Sequence, residues 1–163
     1  MNDTSINLII NHSLNNLIHR EIGCFTDELI SAERYYVLID DSFKSSFNQL
    51  INYIEAQELN VSNASDLKMT VSNKDVLIIV TAINDNGSIK EAARSFKERG
   101  ARVIAITKGW STQYDDYIHE RVGVSIHNEG DLSDNEVTEA FEMVLESIQR
   151  SVLDRLDGLT NVL

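Results

Sequence analysis

Proline is absent from the 163 residues, cysteine occurs once, and lysine and arginine together number 14 against 26 aspartates and glutamates. Each scarcity removes a class of protein. Proline usage of about 5% is ordinary, and its absence excludes a rigid Pro-rich linker. A lone thiol, Cys24, cannot close an intrachain disulfide. A chain of this length buries roughly 68–70% of its unfolded surface, so its core needs neither disulfides nor a structural metal. Residues Met1 to Arg20 lack the basic flank and continuous apolar run of a signal peptide, which makes the cytoplasm the expected compartment. No apolar run approaches the ~20 residues that span a bilayer, and the longest β-like run, Val76 to Val80, has the length of a strand. Membrane insertion is therefore not expected. A net charge of −12 repels polyanions, so nucleic acid is not an expected partner. A small phosphorylated ligand is not excluded, because backbone amides at a helix N-terminus act locally.

What is present is an alternation of two periods. Ile6, Ile10, Leu14, Leu17, Ile18, Ile22, Phe25 and Leu29 recur at steps of three and four and draw a stripe along one long helix. Some 25 helical residues reach roughly 38 Å, more than one sheet face requires, so the helix packs either inside its own domain or partly on a partner chain. Tyr35 to Ile39 then reads as a strand, and Ser42 as the cap of a helix with Phe43, Phe47, Leu50, Ile51 and Ile54 on its apolar side. Asn60 to Asn73 is polar and irregular, with room for one short edge strand. Val76 to Val80 is apolar on both faces, as a central parallel strand is. A helix starts at Ser88 with Glu91 completing a capping box, and it stops at Gly100. Arg102 to Thr107 is a second buried strand, Tyr114 to Glu120 a short helical piece, and Val122 to Ile126 a last strand. Ser133 and Glu136 open a final helix carrying Val137, Phe141, Val144, Leu145, Ile148, Val152 and Leu156. Strands separated by three-turn helices imply right-handed βαβ units and a doubly wound α/β fold.

Lys74 to Ile126 resembles the second half of a SIS (sugar isomerase) domain: a strand, a polar turn, a helix ending Lys97-Glu98-Arg99-Gly100, a strand ending Ile106-Thr107, and a following helical turn. With the first helix and the first βα unit included, the likeness covers nearly the whole chain and is nearest to the small phosphoheptose-isomerase-like group. The resemblance implies a three-layer sandwich around a five-stranded parallel sheet, with 1–163 as one domain. Within it, residues 1–31 form a dimerisation helix, 35–126 the α/β core and 134–157 the C-terminal helix. It also implies a homodimer or a dimer of dimers, and a phosphosugar site at the carboxyl ends of the strands. No cofactor and no metal is expected.

The motif residues depart from the family pattern. Where SIS domains carry S-x-S-G-x-[ST] after the strand, this chain has Thr81 for the first serine, Ile83 for the second, Asn84 for the glycine and Asn86 for the final hydroxyl. Such a loop gathers backbone N–H groups and hydroxyls on a phosphate at a helix N-terminus, and Asn86, Gly87 and Ser88 rebuild part of it one turn along. Where the first strand of the family is followed by G-x-G-x-S, the sequence reads Asp40-Asp41-Ser42-Phe43-Lys44. Each carboxylate there repels a phosphate charge by about 4 kcal/mol per unit-charge pair at ~4 Å and an effective dielectric near 20, and Lys44 offsets one of them. The candidate ligand contacts are thus Ser42, Lys44, Ser45, Thr81, Asn84, Asn86 and Ser88. Asp40 and Asp41 either cap the next helix or meet a ligand or Mg²⁺.

Other candidates carry less. His12 and His19 lie two turns apart, about 10 Å, too far for two ligands of one metal. His119 beside Glu120 and His127 before Glu129 have the chemistry of acid–base groups, but neither matches a motif position of the family's catalytic Glu and His. Cys24 reads as a buried structural thiol. Trp110, Tyr114 and Tyr117 either line a pocket or close the sheet edge. Three functional readings follow: a SIS-like binding protein for a phosphorylated sugar or related carbohydrate derivative without robust catalysis, a phosphosugar aldose–ketose isomerase, and an acidic homodimeric interaction module.

Overall fold

The structure is a computed structural model that describes residues 18–55, 60–63, 71–83, 87–124 and 134–162. Helix α1 occupies 18–31 within those limits and is followed by β1 (Arg34–Ile39), a 3-10 turn (Asp41–Phe43), α2 (Lys44–Glu55) and β2 (Asn60–Asn63). Then come β3 (Asp75–Thr81), α3 (Gly87–Glu98), β4 (Arg102–Lys108), a 3-10 turn (Asp115–Tyr117), β5 (Glu120–Val124) and α4 (Asp134–Val162). The sheet runs β2-β1-β3-β4-β5, with every pairing parallel. Four strands make up most of it, and the four-residue β2 lies at one edge.

Burial follows from the pleat. All seven residues of β3 are buried, and successive side chains point to opposite faces. Val76, Ile78 and Val80 join one core with α1, α2 and α4, while Leu77 and Ile79 join another with α3 and Tyr114. The sheet is thus covered on both sides, which is why its central strands read as unbroken apolar runs. Phe43 stacks on Phe141 with ring centroids 4.5 Å apart on the first face, and Tyr36 meets Phe96 edge-on at 5.0 Å on the second.

Helix α1 runs antiparallel to the strands. The Glu21 carboxylate accepts the Gly123 amide at 2.8 Å near the end of β5 and also the indole N–H of Trp110. Two turns later Glu28 forms a bidentate pair with Arg102 at the start of β4, at 2.8 and 2.6 Å. Ile22, Phe25 and Leu29 turn into the core between these anchors, so the described part of α1 packs on its own sheet. Cys24 corrects an expectation: it is exposed, because the stripe passes through its neighbours Phe25 and Thr26 and leaves position 24 on the outer side.

The boundaries moved where turns compete with helices. Ser42 lies inside the 3-10 turn rather than capping α2, and Asp40 before that turn makes no side-chain capping bond. Helix α3 begins at Gly87, which puts Ser88 in its first turn, and Glu91 pairs with Arg94 at 2.6 Å. β5 starts two residues earlier than expected, at Glu120, because the helical piece before it is only the turn Asp115–Tyr117. Ser133 lies outside the described residues.

The amino-terminal ends of β1 and β3 are clamped by one buried acid. Asp75, 1% exposed, accepts Arg34 Nε and Nη2 at 2.9 Å each and the Ser72 amide at 2.9 Å, in register with Arg34 across the strand pair. Replacing Asp75 by Ala removes all three acceptor contacts. The expected loss is about 2–3 kcal/mol, less than for a fully buried pair because Arg34 keeps contact with water. Urea unfolding of D75A checks this, with an unchanged m-value expected alongside the lower midpoint.

Candidate functional site

The strand order places a topological switch point between β1 and β3. From β1 the chain steps outward to β2, and from β3 it steps the other way to β4 and β5, with α2 and α3 on opposite faces of the sheet. In open α/β sheets such a reversal opens a crevice beyond the carboxyl ends of the strands, where ligands bind. Asp40, the 3-10 turn leading into α2, Thr81 and the start of α3 surround it here.

Asp40 bridges the two strands at this switch point. Its backbone N–H continues the ladder to Val80 O at 3.0 Å, and its Oδ2 accepts the Thr81 hydroxyl at 3.0 Å and the Ala82 N–H at 2.9 Å. The Thr81 oxygen in turn accepts the Ile83 N–H at 3.0 Å. Thr81 is buried, so its hydroxyl is engaged both as donor and as acceptor. Among the described residues this is the polar centre of the switch point, and it connects positions 41 apart in the chain.

The other candidate contacts divide. Lys44 Nζ lies 2.7 Å from Asp41 Oδ1, and this hydrogen bond and charge hold the Asp41 carboxyl below its ordinary range. Ser42 and Ser45 are exposed around the entry to α2, and Ser88 is exposed in the first turn of α3. Ser42, Lys44 and Ser45 thus follow β1 in the chain, Thr81 closes β3 and Ser88 follows it in α3. Asn84 and Asn86 lie outside the described residues.

Beside the crevice, Tyr114 is fully buried, with its hydroxyl 3.5 Å from Ile83 O. Burial pushes its phenol up to about 12, with the Asp40 charge adding to the shift, so it stays protonated at neutral pH. Thr107 donates to Gly109 O at 2.8 Å, closing the turn after β4 where Gly109 adopts a positive φ of 74°. Trp110 lies over Gly123 of the edge strand β5, so close that a Cβ there would meet its ring at 2.5 Å. This is the edge-closing role. Arg121 ties the intervening loop by donating to Trp110 O, Thr112 and Asp115. Burial disfavours the charged form of Asp115, but the bonds from Thr112 and Arg121 outweigh it and lower its carboxyl.

His119 is remote from all of this. Its Nδ1 accepts the Val103 N–H at 2.9 Å and its own amide donates to Val103 O at 2.7 Å, near the amino-terminal end of β4. Five residues of strand, roughly 16 Å, separate that level from the crevice end at Lys108. It extends the ladder and is not placed to move a ligand proton at the strand ends. His127, Glu129 and His12 lie outside the described residues. His19 lines a groove of about 530 Å³ between α1 and α4, with Arg150, Asp154 and Arg155. Among the described residues no group of three or more His, Cys, Asp or Glu is placed to hold a metal ion.

The model of the SIS domain matches residues 40–129, more than half of the chain, beginning at Asp40 itself. The chain belongs to the SIS domain family. No curated protein matches it in sequence. The phosphoheptose isomerase of Francisella tularensis superposes with a TM-score of 0.69 at 13% identity, over 93% of this chain and 94% of that one. The phosphoheptose isomerase of Neisseria gonorrhoeae gives 0.65 at 9% identity, over 94% and 98%. The Vibrio vulnificus NanR protein complexed with ManNAc-6P gives 0.68 at 10% identity, over 88% of this chain and 57% of the other. This SIS domain thus spans a little over half of that last protein and nearly the full length of the two isomerases.

The pairing of Asp40 with Thr81 was not available to sequence reasoning, because nothing local in Asp40-Asp41-Ser42 singles out a partner in the next βαβ unit. His119 supplies a pH test of its structural role. Burial, followed by the nearby Arg102 and Lys97 cations, lowers its imidazole below the ordinary value of 6.5. On acidification the unfolded chain therefore takes up this proton first, and stability falls between pH 6.5 and the lower folded value. H119L is expected to lose this component of the pH dependence and to lose about 1–3 kcal/mol near neutrality as the Val103 N–H is left unpaired. Thermal melts of both proteins from pH 5 to 8 check it.

Proposed function

We propose that this SIS domain binds a phosphorylated sugar or a related carbohydrate derivative at the carboxyl ends of β1 and β3, without robust catalysis. The observation that carries the reading is the topological switch point between β1 and β3, followed in the chain by Ser42, Lys44 and Ser45 on one side and by Thr81 and Ser88 on the other. The names of the superposable proteins, two phosphoheptose isomerases and one protein complexed with ManNAc-6P, support the ligand class. Among the described residues, the engagement of Asp40 by Thr81 and Ala82 and of Asp41 by Lys44, with His119 at the other end of the sheet, supports the reading without robust catalysis. Asn84 and Asn86 belong to the same proposal as further contacts of the β3–α3 loop.

The reading extends to assembly and location. Helix α4 spans 29 residues, longer than the sheet it covers, and carries Met143 67% exposed. We assign this helix and α1 to a homodimer or a dimer of dimers of one-domain chains, working in the cytoplasm. Among the described residues no helix is long and apolar enough to cross a membrane.

Thermal unfolding against a panel of sugar phosphates, free phosphate and Mg²⁺ tests the assignment. A ligand at about 100 times its Kd adds about 2.7 kcal/mol to the native state, a rise of roughly 5–10 °C for a domain of this size. A selective rise with one carbohydrate, lost when Thr81 and Ser88 are both changed to Ala in a protein that still folds, is the expected result. No rise with any compound at millimolar concentration would overturn it. The isomerase alternative predicts solvent deuterium entering the sugar next to its carbonyl, and the absence of exchange across the panel is expected here.

A further inference from the structure

Among the described residues, the β3-turn donors that an anion would meet already hold the protein's own carboxylate. A phosphate held at the β3 turn needs hydrogen-bond donors directed at one point. The Thr81 hydroxyl and the Ala82 N–H are such a pair, and they converge on Asp40 Oδ2 at 3.0 and 2.9 Å. The Ile83 N–H, the next donor in the turn, is directed back at the Thr81 oxygen at 3.0 Å. All three donors of residues 81–83 that an anion would seek are thus satisfied from within. Asp40 is itself fixed, since its amide is bonded to Val80 O in the continuing ladder. The cation nearest in sequence, Lys44, is paired with Asp41 at 2.7 Å. A dianionic phosphate entering this turn would have to displace a carboxylate from two donors and sit beside its charge.

We propose that Asp40 is the specificity-determining residue of the crevice: its carboxylate holds the anion position of the β3 turn, so the ligand presents there an uncharged hydroxyl or an amine, and not a phosphate group. The proposal rests on the carbohydrate-binding reading and narrows it. Asp40 keeps acceptor capacity beyond its two intramolecular bonds, because a carboxylate has about four lone-pair sites, and a sugar hydroxyl or ammonium is a donor suited to them. Any phosphate of the ligand then lies away from Thr81.

Isothermal titration of the full chain and of D40N with inorganic phosphate, glucose 6-phosphate and glucosamine tests this. Asparagine is isosteric and keeps an acceptor oxygen for Thr81 and Ala82 while removing the charge. D40S serves as a second variant that opens the turn, and circular dichroism with the melting temperature establishes that each is folded. The expected result is inorganic phosphate binding at least tenfold tighter to D40N or D40S than to the unaltered protein, with glucosamine, if bound, weakened in both. Equal phosphate affinity in all three folded proteins would overturn the proposal. Phosphate gained by the variants with neither sugar bound by any of the proteins would uphold the role of Asp40 and count against carbohydrate binding. Glucose 6-phosphate bound at least as tightly by the unaltered protein as by D40N, with inorganic phosphate bound more tightly by D40N, would support both carbohydrate binding and the role of Asp40.

Discussion

The parallel pairing of β1 with β3 is the constraint on which the rest of the molecule depends, because the chain reverses its direction of travel across the sheet at that seam. An acidic side chain fastens the seam at each end. Asp75 holds Arg34 at the amino-terminal end, and Asp40 holds Thr81 and Ala82 at the carboxyl end. Between them six residue pairs run in register, from Arg34 with Asp75 to Ile39 with Val80. The two clamps differ in kind. Asp75 is a bidentate ion pair whose charge is compensated on the spot, whereas Asp40 is a carboxylate held by neutral donors, an arrangement that leaves its charge for something else to meet.

The electrostatics of the site are local. The chain carries a net charge of −12, yet the crevice is governed by a few groups around it. Asp41 is neutralised by Lys44, and Arg121 and Asp115 are occupied with each other in the loop after β4. Screening over about 8–10 Å at physiological salt removes most of the influence of distant surface charge. The framework of sheet and helices is held by apolar burial on both faces, independently of the polar residues at the strand ends.

Helix α1 shows how the outer layer is attached. Its apolar stripe at Ile22, Phe25 and Leu29 enters the core shared with α2 and α4. Its polar flank uses Glu21 and Glu28 to reach β5 and β4, satisfying the Gly123 amide at the sheet edge and the Arg102 guanidinium at the strand start. Edge strands expose unpaired backbone groups, and covering one with a side chain and an indole ring removes a surface on which another strand could add. Trp110 and Glu21 together perform that cover on β5.

By itself the sequence determined the order of elements, the doubly wound α/β class and the family framework, since these rest on apolar periodicity and turn residues that act over a few positions. Val76 to Val80 reads as a central strand because every residue is apolar, and Gly100 ends α3 with a φ of 88° that glycine adopts without penalty. Cys24, Ser42 and Ser88 were misplaced for the converse reason: a rotation of 100° per residue or a shift of one position at a helix start alters exposure without altering the pattern. Only the tertiary structure decided the roles of Asp40 and His119. Asp40 could be read locally as a cap or a ligand contact, and His119 as an acid–base group. Parallel pairing brought one to Thr81, 41 residues away, and the other to the Val103 amide at the far end of the sheet. Hydrogen bonds between distant segments are set by strand register, which is a property of the assembled sheet and not of any single stretch of chain.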